Sequence, residues 1–471
     1  MLWIKVNKSS KVPLTRQIYI QIRQEILSGR LKEGWKIPST RELSKELKIS
    51  RNVVISAYEL LYAEGYIESR QGAGSFISKG ILLDCAKRKN IKDQKTATLT
   101  NPCHTDTGDI VDFKTGMPDL QLFPRIQWQK VYSETMKNSP KQLFGYGKPE
   151  GLYELRKALA DYLYLKRGIC CSSENIIITN GAAQGLSILS HALVHPGDSI
   201  CLEDPCSIDI YRIFNQKNCS MYSLEVDQLG AVTKHLKFKE APKLIYVTPS
   251  HQFPLGGTLP IQRRIELIQY ARHHNTYIVE DDYDSEFRYT SPVISSLYEL
   301  DPDRVIYIGT FSKTLSPALR IGYLILPDEL IEQCRKEKWY SDLHSSLFEQ
   351  KALAEFISQG HLDRQIRKAN KIYKQKNNLL TKMLKREFSS ICIMGESTGL
   401  HLAVDFQYDH PSDKFQQALK KERVHIYPAN DYTRRSHSHN SKWLLGFGHL
   451  SLEEIEKGVR RIKRGLDSII V

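Results

Sequence analysis

Five short runs, "NIIITNG", "DSICLED", "KLIYVTPS", "TYIVEDDYD" and "RVIYIGTFSK", recur between residues 175 and 313 with helical segments between them. Each is nearly continuous in Ile, Val, Leu and Tyr rather than alternating with polar residues. A strand wetted on one face must alternate, whereas one covered on both faces need not. From "VDFKTGMPDLQLFP" onward the chain is therefore expected to fold as an α/β domain around a mostly parallel sheet. Ligands of such sheets bind beyond the carboxyl ends of the strands. Several of these runs end in polar clusters, at Asn180-Gly181, at Glu280 to Asp284 and at Thr310 to Lys313.

The first 78 residues follow a different period. Ile18, Ile22 and Ile26 are spaced for one helix face, and Gly29 stops that helix. Ser39 and Glu42 form an S-x-x-E capping box for a second, short helix ending near Leu47. Ser50 is expected to cap a third, in which Val54, Ala57, Tyr58 and Leu61 make the buried stripe. Arg51, Asn52, Ile55 and Ser56 are left facing outward near its start. Two short helices joined by a tight turn, the second exposing Arg and Asn, form a helix-turn-helix suited to the DNA major groove. "GYIESRQGAGSFIS" then reads as a hairpin with a glycine tip.

A chain of 471 residues accommodates two or three domains. The formal charge of +14 permits a polyanionic partner, and the excess of basic residues from Lys5 to Lys79 points to the front of the chain. No run approaches the ~18 apolar residues of a membrane span, and the N-terminus does not read as a secretory signal. Nine cysteines with no C-x-x-C pair argue against a disulfide framework or a zinc site. A cytoplasmic protein with reduced thiols is expected. Residues 79–108 have the composition of a linker, between a domain over 1–78 and a larger one over 109–471.

"ITNGAAQGL" runs from a strand into a helix through Gly181, Ala182 and Ala183, whose N–H groups suit a phosphate. Lys313 follows "RVIYIGT" directly, at the same sheet edge as Asp281. Partial burial lowers a lysine pKa and favours the neutral amine that forms a Schiff base. Glu280, Asp281, Asp282 and Asp284 are carboxylates of the kind a metal binds, but no further ligand of obvious spacing accompanies them, and no metal is expected. An imine-forming lysine, an acid for a pyridine nitrogen and phosphate donors together describe a site for pyridoxal phosphate.

Residues 13 to 78, "ILSGRLKEGWKIPSTRELSKELKISRNVVISAYELLYAEGYI" included, resemble the winged helix-turn-helix of GntR-type bacterial regulators. The resemblance implies DNA contacts at Arg41, Ser50, Arg51, Asn52 and the wing around Gly72. Arg41 has an alternative as a surface ion pair with Glu42 or Glu46. Residues 110 to 471 resemble fold-type I aminotransferases through "YGKPEGLYELRKALADYL", "TNGAAQGL", "TPSHQFPLGGTLP", "EDDYDSEF" and "SKTLSPALRIGY". This resemblance implies that Lys313 is the Schiff-base lysine, Asp281 the partner of the ring nitrogen and Tyr283 that of the ring hydroxyl. It further implies phosphate contacts from Arg320, Ala182, Ala183, Thr310 and Ser312, with His251 near the ring hydroxyl.

The two parts together resemble the MocR type of regulator, whose members commonly dimerise with the head of one subunit packed across the body of the other. Ser207 departs from the pattern where an aromatic residue often stacks on the cofactor ring. Trp443 and Leu444 stand where transaminases carry the arginine that grips the substrate carboxylate, and Arg434 and Arg435 are the candidate substitutes. The resemblance implies a pyridoxal phosphate-dependent transcription regulator, a homodimer that binds promoter DNA. Its expected signal is a small amine or amino acid, or the cofactor itself, sensed through the imine at Lys313. The alternative is a working aminotransferase with an accessory DNA-binding domain.

Overall fold

Ile18, Ile22 and Ile26 are fully buried on one face of α1 (Leu14–Leu27), as their spacing predicts. The computed structural model describes residues 4–10, 12–70, 72–80, 109–290, 294–407, 412–434 and 439–470. It divides into two units, Met1–Thr105 and Asp106–Val471. Apart from Lys79 and Gly80, the expected linker lies outside the described residues.

In the first unit, α2 (Thr40–Leu47) starts with both halves of the capping box formed between Ser39 and Glu42. α3 (Arg51–Ala63) buries Val54, Ala57, Tyr58 and Leu61 against α1, and the Tyr58 hydroxyl donates to the Pro38 carbonyl at 2.8 Å. Ser50 occupies the N-cap position, but its side chain accepts no bond from the helix. The expected side-chain cap is absent because the turn before it is fixed otherwise, by left-handed Lys48 and by the Ile49 N–H bonded to the Ser44 carbonyl. β1 (Ile67–Arg70) and β2 (Gly74–Ile77) pair antiparallel, so Gly74 belongs to the strand opposite Arg70 rather than to the tip. Gly72 sits at the tip with φ +75°, a conformation a side chain disfavours, and with open space around it.

The second unit is built on eight strands: β3 (Ile176–Thr179), β4 (Ser199–Asp204), β5 (Ser220–Asp227), β6 (Gly230–Ala231), β7 (Leu244–Val247), β8 (Tyr277–Asp282), β9 (Val305–Thr310) and β10 (Gly322–Ile325). Their order is β3-β10-β9-β8-β7-β4-β5-β6. Neighbours from β9 through β5 are parallel, β10 runs against both its neighbours, and β6 closes a hairpin on β5. Successive residues point to opposite sides. Ile176, Ile178, Ile245, Val247 and Ile278 join one core, while Ile177, Ile200, Leu244, Val279 and Ile308 join the other. Burial on both faces is why these runs do not alternate.

A smaller sheet of β11 (Cys392–Met394), β12 (His401–Asp405), β13 (Tyr427–Pro428) and β14 (Lys442–Gly446), in the order β11-β12-β14-β13, has its own core with the helices His361–Glu387 and Leu452–Ile470. No helix among the described residues is long and apolar enough to cross a membrane. The seven cysteines among them are free.

Candidate cofactor site and DNA-reading helix

The parallel direction of β3, β8 and β9 brings their carboxyl ends to one edge of the sheet. A cavity of about 510 Å³ opens there, within the usual range for small-molecule sites. It is lined by Asp281 and Tyr283 at the end of β8 and just beyond it, by Thr310, Ser312 and Lys313 at the end of β9 and just beyond it, by Gly181, Ala182 and Ala183 after β3, and by Arg320 ahead of β10. These come from four separate stretches of chain. Thr115, Gly116, Ser207, Ile208, Asp209, Tyr246, Phe253 and Tyr432 are among the other lining residues.

At one end of the cavity, Gly181 (φ +87°) turns β3 into the helix α4 (Ala182–Leu193) and presents its first N–H groups. A Cβ on Gly181 would lie 3.1 Å from Arg320 Nη2, and that same nitrogen donates to the Asn180 carbonyl at 2.6 Å. Arg320 holds a left-handed backbone, φ +51°, uncommon for a residue with a side chain. Thr310 Oγ1 accepts from the Ser312 N–H at 3.2 Å and donates to Ser312 Oγ at 3.0 Å, which fixes both hydroxyls on the turn. N–H groups, hydroxyls and a guanidinium converge at this end, as a phosphate requires.

Asp281 is buried, and β7 pairs with β8 so that Tyr246 lies beside Val279 and leaves the same face as Asp281. The Tyr246 hydroxyl donates to Asp281 Oδ2 at 2.8 Å, while Oδ1 is buried with no partner. Burial pushes Asp281 up to about 6, against the pull of the Tyr246 hydrogen bond. Lys313 Nζ donates to the Gly116 carbonyl, and burial lowers its pKa, opposed by the nearby charges of Asp284 and Asp281. An amine whose charged form burial disfavours, a carboxylate oxygen waiting for a cationic N–H and a phosphate cradle fit pyridoxal phosphate.

The other carboxylates of the acidic run go to separate partners. Glu280 accepts from the Tyr298 N–H, and Asp282 forms a buried ion pair with Arg167 at 2.6 Å on the far side of the strand. Asp284 accepts from His251 Nδ1 at 3.0 Å. His251 is buried behind Tyr283 and does not line the cavity. The Tyr283 hydroxyl donates to the His251 carbonyl at 3.0 Å, and the two rings stack. His401 packs on the other side of His251, its pKa pushed down to about 3 by burial, and bonds the Pro254 carbonyl through Nε2. His251 and His401 do stand close enough to Asp284 to share an ion with it, which the spacing of the acidic run did not suggest; Asp284 and Tyr283 bond His251, and His401 bonds the Pro254 carbonyl.

Arg434 does not line the cavity. Its guanidinium lies over the Tyr211 ring at 5.0 Å and donates to the Met221 carbonyl, while its backbone N–H is held by Asp204. Arg435 lies outside the described residues. Trp443 and Leu444 leave opposite faces of β14: Trp443 packs edge-on against Phe415, and Leu444 joins an apolar cluster with Leu255, Ala403 and Ala429. Gly116, Thr115, Tyr246 and the pairing of Asp284 with His251 have no signal in the sequence.

In the first unit Arg41, Ser50, Arg51 and Asn52 are all exposed at the start of α2 and α3. Glu42 is occupied by the capping box, and among the described residues Arg41 forms no ion pair with Glu42 or Glu46. Arg51 Nε reaches Thr40 Oγ1 at 3.4 Å, tying the two helix starts together.

Residues 14–77 match the family "Bacterial regulatory proteins, gntR family", and residues 109–462 match "Aminotransferase class I and II". The regulator YdeL of Bacillus subtilis, described as an uncharacterized HTH-type transcriptional regulator, is 34% identical over 97% of this chain and 98% of its own. The probable rhizopine catabolism regulatory protein MocR of Rhizobium meliloti is 30% identical over 97% and 94%. The kynurenine aminotransferase of Pyrococcus horikoshii superposes on 78% of this chain and 93% of its own, with a TM-score of 0.73 and 25% identity. A gntR-family head joined to an aminotransferase class I and II body, with relatives spanning both, identifies the chain as a member of the MocR-type regulators.

Proposed function

We propose that the protein is a transcription regulator that reads promoter DNA through α3 and the β1–β2 wing. Its body holds pyridoxal phosphate at Lys313 and responds there to a small amine or amino acid, or to the cofactor itself. The observation that carries this reading is the unpartnered Oδ1 of Asp281 in a cavity with Lys313, on the same chain as a helix start exposing Arg51 and Asn52. When bound, pyridoxal phosphate supplies an aldehyde carbon on which primary amines exchange, backed by an electron-withdrawing ring.

The chain's own residues have separable tasks in this reading. Gly181, Ala182, Ala183, Thr310, Ser312 and Arg320 hold the phosphate. Asp281, braced by Tyr246, keeps a proton on the ring nitrogen, and Tyr283, braced by His251, faces the ring hydroxyl. Lys313 would hold the bound cofactor, and displacement of its side chain by an incoming amine would give the pocket two states with different contacts, the requirement for a switch. The protein works as a homodimer in the cytoplasm, with the head of one subunit placed against the other. The exposed Phe144, Tyr146, Tyr153, Leu165 and Tyr340 of the body support an apolar subunit interface.

The test uses the full-length protein loaded with pyridoxal phosphate and a duplex it selects from a random-sequence pool. Candidate amines should alter both the visible absorbance and the affinity for that duplex without continuous release of keto acid. Sustained keto acid production with DNA affinity unchanged would establish the aminotransferase reading instead. Arg51→Ala should weaken DNA binding while cofactor binding persists, and should lower the salt dependence by about one counterion.

A further inference from the structure

We infer that the body's effector is a primary amine that carries no carboxylate and ends in a second ammonium group, received by Asp209. This deepens the proposed sensing role and rests on it. Four described residues that line the cavity are charged: Asp209, Asp281, Lys313 and Arg320. Three of them are committed. Lys313 holds the cofactor, Arg320 sits at the phosphate end with its guanidinium on the Asn180 carbonyl, and Asp281 is buried against Tyr246 facing the ring. Only Asp209 is left to meet the free end of an effector.

Asp209 lies in the first turn of the helix Ile208–Asn215, with a side chain 77% exposed at the cavity mouth. Its contact to Arg212 is 3.4 Å long between two exposed groups, the kind of pair that contributes little and exchanges readily. An effector carboxylate, by contrast, finds only Lys313 and Arg320 as cations among the described lining residues, and both are committed. Behind Tyr432 the wall is the apolar cluster that contains Leu444 and Ala429, both fully buried. Arg434 is spent on Tyr211 and Met221. A carboxylate would be desolvated there without compensation, which disfavours it strongly. Between the two ends, Ser207, Ile208 and Phe253 offer a mostly apolar passage for an alkyl chain.

The experiment titrates the full-length, cofactor-loaded protein by calorimetry with 1,4-diaminobutane, 1-aminobutane, 4-aminobutanoate and alanine at one pH and ionic strength. Diaminobutane is expected to bind about fivefold more tightly than aminobutane, the scale of one partly exposed ion pair. Both should bind more tightly than either amino acid. In Asp209→Asn the diamine's advantage should fall to about one. Tighter binding of 4-aminobutanoate or alanine, or an undiminished advantage in Asp209→Asn, would overturn this assignment while leaving amine sensing in place. No response to any of these amines, with the visible band of the Lys313-bound cofactor present, would overturn amine sensing and this inference together.

Discussion

Tyr246 donates to Asp281 Oδ2 at 2.8 Å and leaves Oδ1 of the same carboxylate buried and unpartnered. A buried acceptor left open is costly unless a ligand fills it. Tyr246→Phe removes the bond that favours the ionised carboxylate, so less of Asp281 is charged to meet the ring nitrogen. Hydrogen bonds to charged groups are worth about 1.5 to 3 kcal/mol, so the affinity for pyridoxal phosphate should fall by roughly 10- to 100-fold. Equilibrium titration of the cofactor-free variant checks this, and an unchanged affinity would remove Tyr246 from the site.

Asp281 also makes a prediction about pH. Its folded pKa is raised to about 6 from an unfolded value near ~4, so ionising it in the cofactor-free fold costs stability as pH rises through that window. Asp281→Asn carries no titrating proton. Its stability relative to the native chain should therefore improve from pH 5 to 7.5 by about 1 kcal/mol. Parallel denaturant titrations of the two cofactor-free proteins at both pH values measure the difference. A flat difference would mean that Asp281 is ionised throughout.

Gly399 has φ +79°, and a Cβ there would run into the His251 ring and Asp284. Gly399→Ala should cost about 3 kcal/mol from backbone strain and overpacking together. Because His251 braces Tyr283, cofactor binding should weaken as well. Thermal unfolding with and without pyridoxal phosphate separates the two effects.

In the head, Ser39 makes a full capping box and Ser50 makes no side-chain cap bond. Ser39→Ala should lower the stability of the protein by about 1 kcal/mol, whereas Ser50→Ala should change it by less than about 0.5 kcal/mol. If Ser50 serves DNA instead, its substitution should weaken duplex binding with folding intact.

The reach of the sequence follows from how each residue signals its role. Lys313, Asp281 and Gly181 are legible because each stands at the carboxyl end of an apolar strand run, where the topology gathers ligands, whereas Arg320, ahead of β10, is named only through the family resemblance. Tyr246 is not, since it sits inside the run "KLIYV" and looks like strand core until the pairing with β8 sets it beside Val279, on the face that carries Asp281. Gly116 reaches Lys313 from almost two hundred residues away, so no local pattern links them. The departure at Trp443 and Leu444 was visible as a pair, but only the alternation of β14 shows that Leu444 turns toward the apolar wall beside Tyr432. Arg434 is a polar residue two positions beyond cavity-lining Tyr432, and its partners, Tyr211 and Met221, are set by contacts distant in sequence.

The central claim is that the pocket around Lys313 governs the DNA-reading head. The direct test is the affinity of full-length protein for its selected duplex, measured with and without a responding amine, in the native chain and in Lys313→Ala, both saturated with pyridoxal phosphate. The account predicts an amine-dependent change in duplex affinity in the native chain that disappears in Lys313→Ala, while binding of DNA itself persists. An equal amine response in Lys313→Ala would contradict it.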